Sequence, residues 1–171
     1  MLEGHFRLAS GRHSGLYIEK FRIMEDPAAT AEMCGMIADH YRGSGATLVI
    51  GPAMGGVILA YETAKQMGLH GIFAEKDGHD GLMFDRGFNV TPGQPVLVVD
   101  DVLTTGGSVK KVLAMLESAG ARVVGVGFLI DRTNGAVDFG VPFYACHAMQ
   151  VESYAPDECG LCQQGLPLVE T

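Results

Sequence analysis

The residues with the clearest chemical potential form one continuous stretch, Val96 to Ser108. Four apolar residues come first, as is typical of a strand buried on both faces. Two acids, Asp100 and Asp101, follow, and a Thr/Gly loop then leads into a predicted helix from Ser108 to Ser118. Ligands of open α/β sheets bind beyond the carboxyl ends of the strands. The acids and the loop are therefore predicted to lie at a binding site.

The loop of this stretch has the donors that a phosphate group requires. Free backbone N–H groups and the N-terminus of the following helix form an anion pocket. The glycines allow close approach of the backbone. The two adjacent carboxylates would repel each other unless cations or hydroxyl groups satisfied them, and sugar hydroxyls and hydrated Mg²⁺ are suitable partners. Hydroxyl side chains add further donors, and the loop residues are Val102, Leu103, Thr104, Thr105, Gly106, Gly107 and Ser108.

The order of residues excludes two common nucleotide-binding motifs. No lysine follows the glycines, so the loop is not of the Walker type, and the acids precede the glycines, unlike those of a dinucleotide fingerprint. A plain strand-to-helix turn with Asp101 or Thr105 as N-cap is the structural alternative. The complete thirteen-residue pattern favours the ligand site over that alternative.

Composition narrows the class of protein further. The chain has 171 residues, of which 47% are hydrophobic and 19% charged, which predicts one globular domain over residues 1–171. The net charge is −8 and the longest basic block is Lys110-Lys111, so the footprint of a nucleic-acid-binding protein is missing. No apolar run reaches the ~18 residues of a membrane helix, and the first ten residues lack a signal-peptide core. Four cysteines do not make a disulfide scaffold, so a cytoplasmic location is predicted.

Strand and helix signals alternate along the chain, which predicts a parallel α/β sheet. Residues 75–95 interrupt the alternation with charges and glycines, and are predicted to form a flexible flap. Residues 82–90 are expected to pair with each other around a turn near Asp85-Arg86. A long, polar, glycine-rich excursion is often a lid over a site, and an ordinary surface hairpin is the alternative. The tail, residues 151–171, is predicted to be irregular. Helices are expected at residues 28–42, 56–67 and 108–118, and strands at 47–50, 71–74, 96–99, 123–130 and 142–148.

The stretch from Val96 to Ser108 resembles the phosphoribosyl-pyrophosphate signature of type I phosphoribosyltransferases, and the likeness runs from about Gly4 to Cys162. That family implies a central, mostly parallel sheet flanked by helices, with a flap or hood. Three further segments resemble those of the orotate-specific members. They are Gly4-His5-Phe6 with Ser10–Ser14 and Tyr17, then Gly51–Gly56, and then Ile130-Asp131-Arg132.

The resemblance implies an activity and a role for each matching residue. A homodimeric, Mg²⁺-dependent enzyme would join orotate to phosphoribosyl pyrophosphate in pyrimidine biosynthesis. Asp100 and Asp101 would hold the ribose hydroxyls, directly or through the metal, while Val102–Ser108 would bind the sugar phosphate, its Thr104–Ser108 part cradling the 5-phosphate. Arg132 would pair with the orotate carboxylate, and Tyr17 would lie against the base.

The flap lysine, Lys76, would reach the pyrophosphate, in this family usually across a dimer interface. Related enzymes carry more cations there, and they often have lysine at the positions of Gly55 and Ala9. Pyrophosphate binding is therefore expected to be weak unless His79 or Arg86 compensates. A purine, xanthine or uracil phosphoribosyltransferase and a non-enzymatic phosphoribosyl-pyrophosphate sensor are the competing hypotheses. The helix that usually precedes the Gly-His-Phe segment is missing, so a truncated chain is also expected.

The pair Cys159 and Cys162 has the spacing of metal ligands. One pair supplies only two of the four ligands that structural zinc requires, and His147 or a symmetry-related pair could complete the set. Two ordinary thiols are the favoured interpretation. The histidines are scattered along the sequence, and His13 has the best functional claim because it lies in a segment that resembles the family.

Overall fold

The computed structural model describes residues 2–8, 10–79 and 81–170, so Ala9 lies outside the described residues. The chain divides into two compact units, Phe21–Met149 and the pair of segments Met1–Lys20 and Gln150–Thr171. The helices are α1 (Phe21–Met24), α2 (Pro27–Tyr41), α3 (Gly55–Met67), α4 (Gly107–Ser118) and α5 (Gly160–Gln163), with a 3-10 turn at Pro156–Glu158. The strands are β1 (Leu2–Arg7), β2 (His13–Tyr17), β3 (Leu48–Pro52), β4 (His70–Lys76), β5 (Leu82–Met83), β6 (Pro95–Leu103), β7 (Arg122–Asp131), β8 (Phe143–Ala148) and β9 (Val169–Glu170).

The larger unit contains the predicted parallel sheet, with strand order β5-β4-β3-β6-β7-β8. Strands β4, β3, β6, β7 and β8 run parallel, and only the two-residue β5 is antiparallel to its neighbour. The central strand β6 is buried on both faces over Val96–Val99, as the unbroken apolar run predicts. The fold class predicted from the sequence is therefore confirmed.

Local signals set the ends of the helices that surround this sheet. The Asp26 side chain accepts hydrogen bonds from the N–H groups of Ala28 and Ala29, which caps α2 at its proline-led start. Helix α3 ends at Gly68, whose φ of 69° is left-handed. Helix α4 packs on the sheet over a core drawn from β3, β4, β6, β7 and α4 itself. Its buried members include Leu48, Ile50, Val96, Val98, Leu103, Val109, Val112, Leu116, Val126 and Phe128.

The flap differs in one respect from the sequence prediction. A turn does lie at Asp85-Arg86, where the Phe88 N–H donates to the Asp85 carbonyl. The prediction that residues 82–90 pair with each other is wrong, because β5 pairs with the end of β4, with Lys76 opposite Leu82. The pairing joins the middle of the flap, at Leu82, to its beginning at Lys76.

The smaller unit is built on a three-stranded sheet of order β2-β1-β9. Strands β1 and β2 are antiparallel, and β9 runs parallel to β1. The segment after Val151 contributes the 3-10 turn, the single turn of α5 and β9. Among the described residues, no helix of either unit combines the length and the apolarity needed to cross a membrane.

Candidate phosphate-binding active site

A pocket of about 300 Å³ opens at the carboxyl ends of β3, β4 and β6 in the larger unit. Its position follows from the parallel sheet, because successive strands end at the same edge. Most of the predicted loop and two residues of the Gly51–Gly56 segment face it. The lining residues are Pro52, Ala53, Lys76, Gly81, Leu82, Asp100, Val102, Thr104, Thr105, Gly106, Gly107, Ser108, Lys111 and Phe128.

The two adjacent acids of β6 have different surroundings. Asp100 lines the pocket, and its Oδ1 accepts a hydrogen bond of 2.9 Å from the Asp101 N–H. Asp101 is only 4% exposed, and its Oδ1 accepts a 2.7 Å bond from the Val102 N–H. Its Oδ2 lies against Gly55, the first residue of α3, where the positive end of the helix dipole stabilises a carboxylate. Asp100 can therefore contact a ligand, whereas Asp101 supports the backbone beneath it.

The loop that follows β6 has a shape that only glycine permits at Gly106. This residue caps α4 with a φ of 73°, and a Cβ placed there would meet the Phe139 ring at 2.8 Å. The Thr105 hydroxyl accepts a 3.4 Å bond from the Gly107 N–H. The first N–H groups of a helix have no partner within the helix. At α4 they lie beside the hydroxyls of Thr104 and Ser108, so the loop can bind a phosphate.

Two lysines line the same pocket and supply its positive charge. Lys76, at the end of β4, was predicted, and it lies in the pocket of its own chain. Lys111, in the second turn of α4, was missed by sequence reasoning. The available signal was its position four residues after Gly107, which places both residues on one face of the helix.

Of the two side chains considered as substitutes for the missing loop lysines, Arg86 is paired with a carboxylate. The Arg86 guanidinium donates to both oxygens of Glu75, at 3.0 and 3.2 Å. The hydrogen bond and the charge of Glu75 raise the pKa of Arg86 above its ordinary value. The backbone N–H of His79 donates to Asp77 Oδ1 at 2.7 Å. Arg86 therefore ties the flap to β4.

Among the described residues, Asp101, Leu103 and Arg132 do not line this pocket. The Leu103 side chain belongs to the core, and its carbonyl accepts a 2.9 Å bond from the Arg132 N–H. Arg132 thus follows β7 at the same edge of the sheet. The carboxylate of Asp131 holds the next turn through the N–H and hydroxyl of Thr133, both at 2.7 Å.

Tyr17 lies on β2 of the smaller unit, where its ring is 5.5 Å from that of Phe6. Its contact with a base stays a prediction.

Two cysteines of the larger unit are unsuited to nucleophilic catalysis. Burial raises the pKa of Cys34 and of Cys146 to about 11 in each case, so both are neutral thiols near pH 7. Neither thiol is therefore assigned a role in catalysis.

A carboxylate, two lysines and the hydroxyl-rich N-terminus of a helix lie together at the edge of the parallel sheet. This arrangement defines a protein that binds an anionic, phosphorylated ligand. The family model of the phosphoribosyl transferase domain matches residues 22–152, and the chain belongs to the phosphoribosyltransferase family.

Three known proteins illustrate the likeness. The chain is 47% identical over 171 residues to the orotate phosphoribosyltransferase of Pelotomaculum thermopropionicum, covering 99% of this chain and 89% of that protein. The structure is similar to that of orotate phosphoribosyltransferase from Aeropyrum pernix, with a TM-score of 0.68, 28% identity and coverage of 86% and 87%. It is also similar to the orotate phosphoribosyltransferase of Mycobacterium tuberculosis H37Rv, with a TM-score of 0.73, 25% identity and coverage of 86% and 89%.

Proposed function

We propose that this chain transfers the phosphoribosyl group of phosphoribosyl pyrophosphate to orotate, giving orotidine 5'-monophosphate and pyrophosphate in pyrimidine biosynthesis. The observation that carries the proposal is the convergence of Asp100, Lys76, Lys111 and the start of α4 on one pocket. The names of the 47% identical relative and of both similar structures support orotate as the acceptor.

The loop between β6 and α4 binds the 5-phosphate of the sugar. Its N–H groups at the helix start and the hydroxyls of Thr104, Thr105 and Ser108 donate to the phosphate oxygens. The Asp100 carboxylate then accepts hydrogen bonds from the ribose hydroxyls, since it lies on the strand just before the loop. Asp101 is a positioning residue, whose buried carboxylate holds the Val102 N–H.

The transfer step breaks the bond between ribose C1 and a pyrophosphate oxygen and forms a bond from C1 to a ring nitrogen of orotate, whose N–H proton is released to the departing pyrophosphate or to water. Both electrons of the broken bond leave with pyrophosphate, so positive charge develops on the ribose as in glycoside cleavage. Lys76 and Lys111 stabilise the negative charge of the departing pyrophosphate. Positioning by the loop and by Asp100 supplies the remaining acceleration.

Magnesium fits the oxygen donors of this pocket. Mg²⁺ is usually held by one or two carboxylates together with substrate phosphates and water, and the pocket offers the Asp100 carboxylate beside three hydroxyl side chains. When bound, the metal would neutralise charge on the pyrophosphate.

Recognition of orotate is assigned to Arg132 and Tyr17. The planar guanidinium of Arg132 matches a carboxylate and keeps its charge at any physiological pH. The Leu103 carbonyl holds its backbone N–H at the edge of the sheet, and Asp131 holds the turn that follows it. Tyr17 would lie against the base. The flap, tied to β4 by Arg86 and Glu75, would close over the site and exclude water.

A cytoplasmic location and a homodimeric state belong to the same proposal. All four cysteines are free thiols, which suits a reducing compartment. Exposed apolar side chains on α3 and at its N-cap, including Tyr61 and Met54, would suit a dimer interface.

The test is a spectrophotometric assay that follows the consumption of orotate. Turnover is expected only when orotate, phosphoribosyl pyrophosphate and Mg²⁺ are present together. Asp100→Asn and Lys76→Ala should each lower kcat/KM by roughly 10- to 100-fold, the value of one charge-assisted contact. Binding of phosphoribosyl pyrophosphate without turnover of any base would contradict the enzyme and favour a sensor.

A panel of bases separates orotate from other acceptors. Arg132→Ala should lose orotate turnover, whereas Arg122→Ala, at the opposite end of β7 and exposed, should leave it unchanged. Turnover of a purine, xanthine or uracil by the unaltered chain, or unchanged orotate turnover in Arg132→Ala, would remove the assignment of orotate.

A further inference from the structure

Two histidines and two cysteines of the smaller unit converge on a single point. They are His5 on β1, His13 on β2, Cys159 just before α5 and Cys162 within α5. One potential ligand atom from each lies within 4.8 Å of all the others. Both cysteines are free thiols. His147, the partner considered from the sequence, lies on β8 and belongs to the larger unit.

Three of the four separations below match a tetrahedron around one ion, and the fourth, between Cys162 Sγ and His13 Nδ1, is about 0.4 Å shorter. Zinc bonds of about 2.3 Å to sulfur and about 2.0–2.1 Å to nitrogen place two nitrogens about 3.3 Å apart, and a nitrogen and a sulfur about 3.6 Å apart. In this cluster His5 Nε2 is 3.2 Å from His13 Nδ1. Cys159 Sγ and Cys162 Sγ are 3.5 and 3.6 Å from His5 Nε2, and Cys162 Sγ is 3.2 Å from His13 Nδ1.

The hydrogen bond of His5 Nδ1 orients the ring so that Nε2 can bind a metal. His5 Nδ1 is 2.9 Å from the Leu166 carbonyl oxygen, which only accepts, so Nδ1 carries the proton. The neutral ring then presents the lone pair of Nε2 to the cluster. Metal-binding histidines usually donate their other N–H to such an acceptor, which fixes the tautomer and the ring orientation.

Hydrogen bonding alone does not account for the cluster. The one lone pair of His5 Nε2 can accept a single well-aligned hydrogen bond, yet His13 Nδ1 and both sulfurs lie within 3.6 Å of it. Three members are buried, with exposures of 3% for His5, 5% for His13 and 0% for Cys159. A cation bonded to all four atoms satisfies them together.

The size of the smaller unit supplies a physical reason for a metal. Domains below roughly 40 residues usually need a metal, disulfides or oligomerisation to fold, and this unit is close to that size. Among its described residues, the buried hydrophobic side chains are Phe6, Ile18 and Cys159. We propose that His5, His13, Cys159 and Cys162 form a structural Zn²⁺ site that ties the two terminal segments of this unit together.

The site would be a closed one. Four protein ligands fill the tetrahedral coordination of Zn²⁺, and two thiolates balance its charge. The ion therefore has no open position for a substrate, and its contribution is to folding. The proposal does not depend on the proposed function, because none of its four ligands is assigned a role in substrate binding or transfer, and the pocket residues belong to the other unit.

The experiment measures zinc in the full-length chain, purified without chelator and dialysed after exposure to Zn²⁺. About one zinc per chain is expected, with most of it lost in Cys162→Ser. Cys162 is exposed, so the replacement of its sulfur by oxygen is sterically mild. The matched controls Cys146→Ser and His147→Ala should keep the metal, as should Asp100→Asn and Lys76→Ala. Removal of zinc with a strong chelator should lower the midpoint of thermal unfolding.

A second measurement uses the unaltered chain, so its result does not depend on whether a variant folds. Replacement of zinc by Co²⁺ in the unaltered chain should produce the intense visible bands of tetrahedral cobalt and a thiolate-to-cobalt charge-transfer band. Failure of the unaltered chain to retain either metal, or equal zinc retention by Cys162→Ser, would overturn the site. Octahedral cobalt bands without the charge-transfer band would likewise overturn it.

Discussion

At the scale of the residue, the adjacent acids of β6 perform different tasks because successive side chains of a strand point to opposite faces. Asp100 lines the pocket, and Asp101 lies in the interior beside the start of α3. The glycine at position 55 is what leaves room for that carboxylate. The absence of a side chain at this position therefore has a structural reason.

Substitution at Gly55 should disturb Asp101 directly. A Cβ at this position would collide with Asp101 Oδ2, so Gly55→Ala is expected to lower the free energy of unfolding by about 1–3 kcal/mol and to reduce kcat/KM. Urea unfolding checks the first effect. The matched change Gly43→Ala places its Cβ where no atom lies within 4 Å and should be nearly neutral. Equal stability of both variants would contradict the spacing role.

Lys111 offers a second test at this scale because its neighbour provides the control. Lys111→Met removes a cation that lines the pocket and should lower kcat/KM for phosphoribosyl pyrophosphate by roughly 10- to 100-fold. Lys110, one position earlier on α4, is also exposed and lies outside the pocket lining. Lys110→Met should therefore leave steady-state kinetics unchanged. If the two variants behave alike, general charge rather than a specific contact is responsible.

At the scale of the element, the flap is anchored by its pairing with β4 and by one exposed ion pair. Arg86 is 60% exposed and its partner Glu75 28%, so the pair contributes little to global stability. Its effect should instead be local, because it joins the turn of the flap to the strand that ends at Lys76.

Arg86→Gln should loosen the flap without unfolding the protein. The free energy of unfolding is expected to change by less than about 1 kcal/mol, while amide hydrogen exchange of residues 81–88 becomes faster. Hydrogen exchange with mass spectrometry gives both readings. Arg42→Gln, which breaks a still more exposed pair with Asp39 on α2, is the control and should not alter the flap. Unchanged exchange in Arg86→Gln would show that β-pairing alone holds the segment.

At the scale of the whole molecule, α3 presents an apolar stripe. Met54, Ile58 and Tyr61 recur at helical spacing and are 77%, 44% and 69% exposed. Contiguous exposed apolar side chains commonly mark an interface between subunits. This stripe supports the proposed homodimer.

A charge within the stripe should separate the subunits. Sedimentation velocity of the unaltered chain is expected to report twice the chain mass of 18.1 kDa, whereas Tyr61→Glu should shift the population toward the single chain. Burial of an unpaired carboxylate at an interface costs free energy, and this cost drives the shift. Tyr61→Phe keeps the apolar surface and should remain dimeric. A single-chain mass for the unaltered protein would contradict the proposal.

Much of the fold, and the part of the candidate site formed by β6 and the loop after it, could be predicted from the sequence because their signals are local. The four apolar residues of β6, the cap at Asp26 and the glycine at position 68 each act on their own neighbours, and most observed elements begin and end close to the predicted positions. The end of β6 is the exception, because the strand continues through both acids to Leu103 instead of ending at Val99. The β6 strand, the acids and the phosphate loop are contiguous, so one motif was enough to place Asp100 and Thr104–Ser108 together.

Tertiary structure alone decided which chemically similar neighbours face the pocket and which distant residues meet. Lys110 and Lys111 differ only by the rotation of about 100° per residue along a helix, and their roles depend on where α4 packs. His13 and Cys162 are 149 positions apart, and no local signal joins them; the pairing of β1 with β2 and β9 brings them together. Sequence determines which groups can react, because side-chain chemistry is local, whereas their convergence depends on contacts that form only when the whole chain has folded.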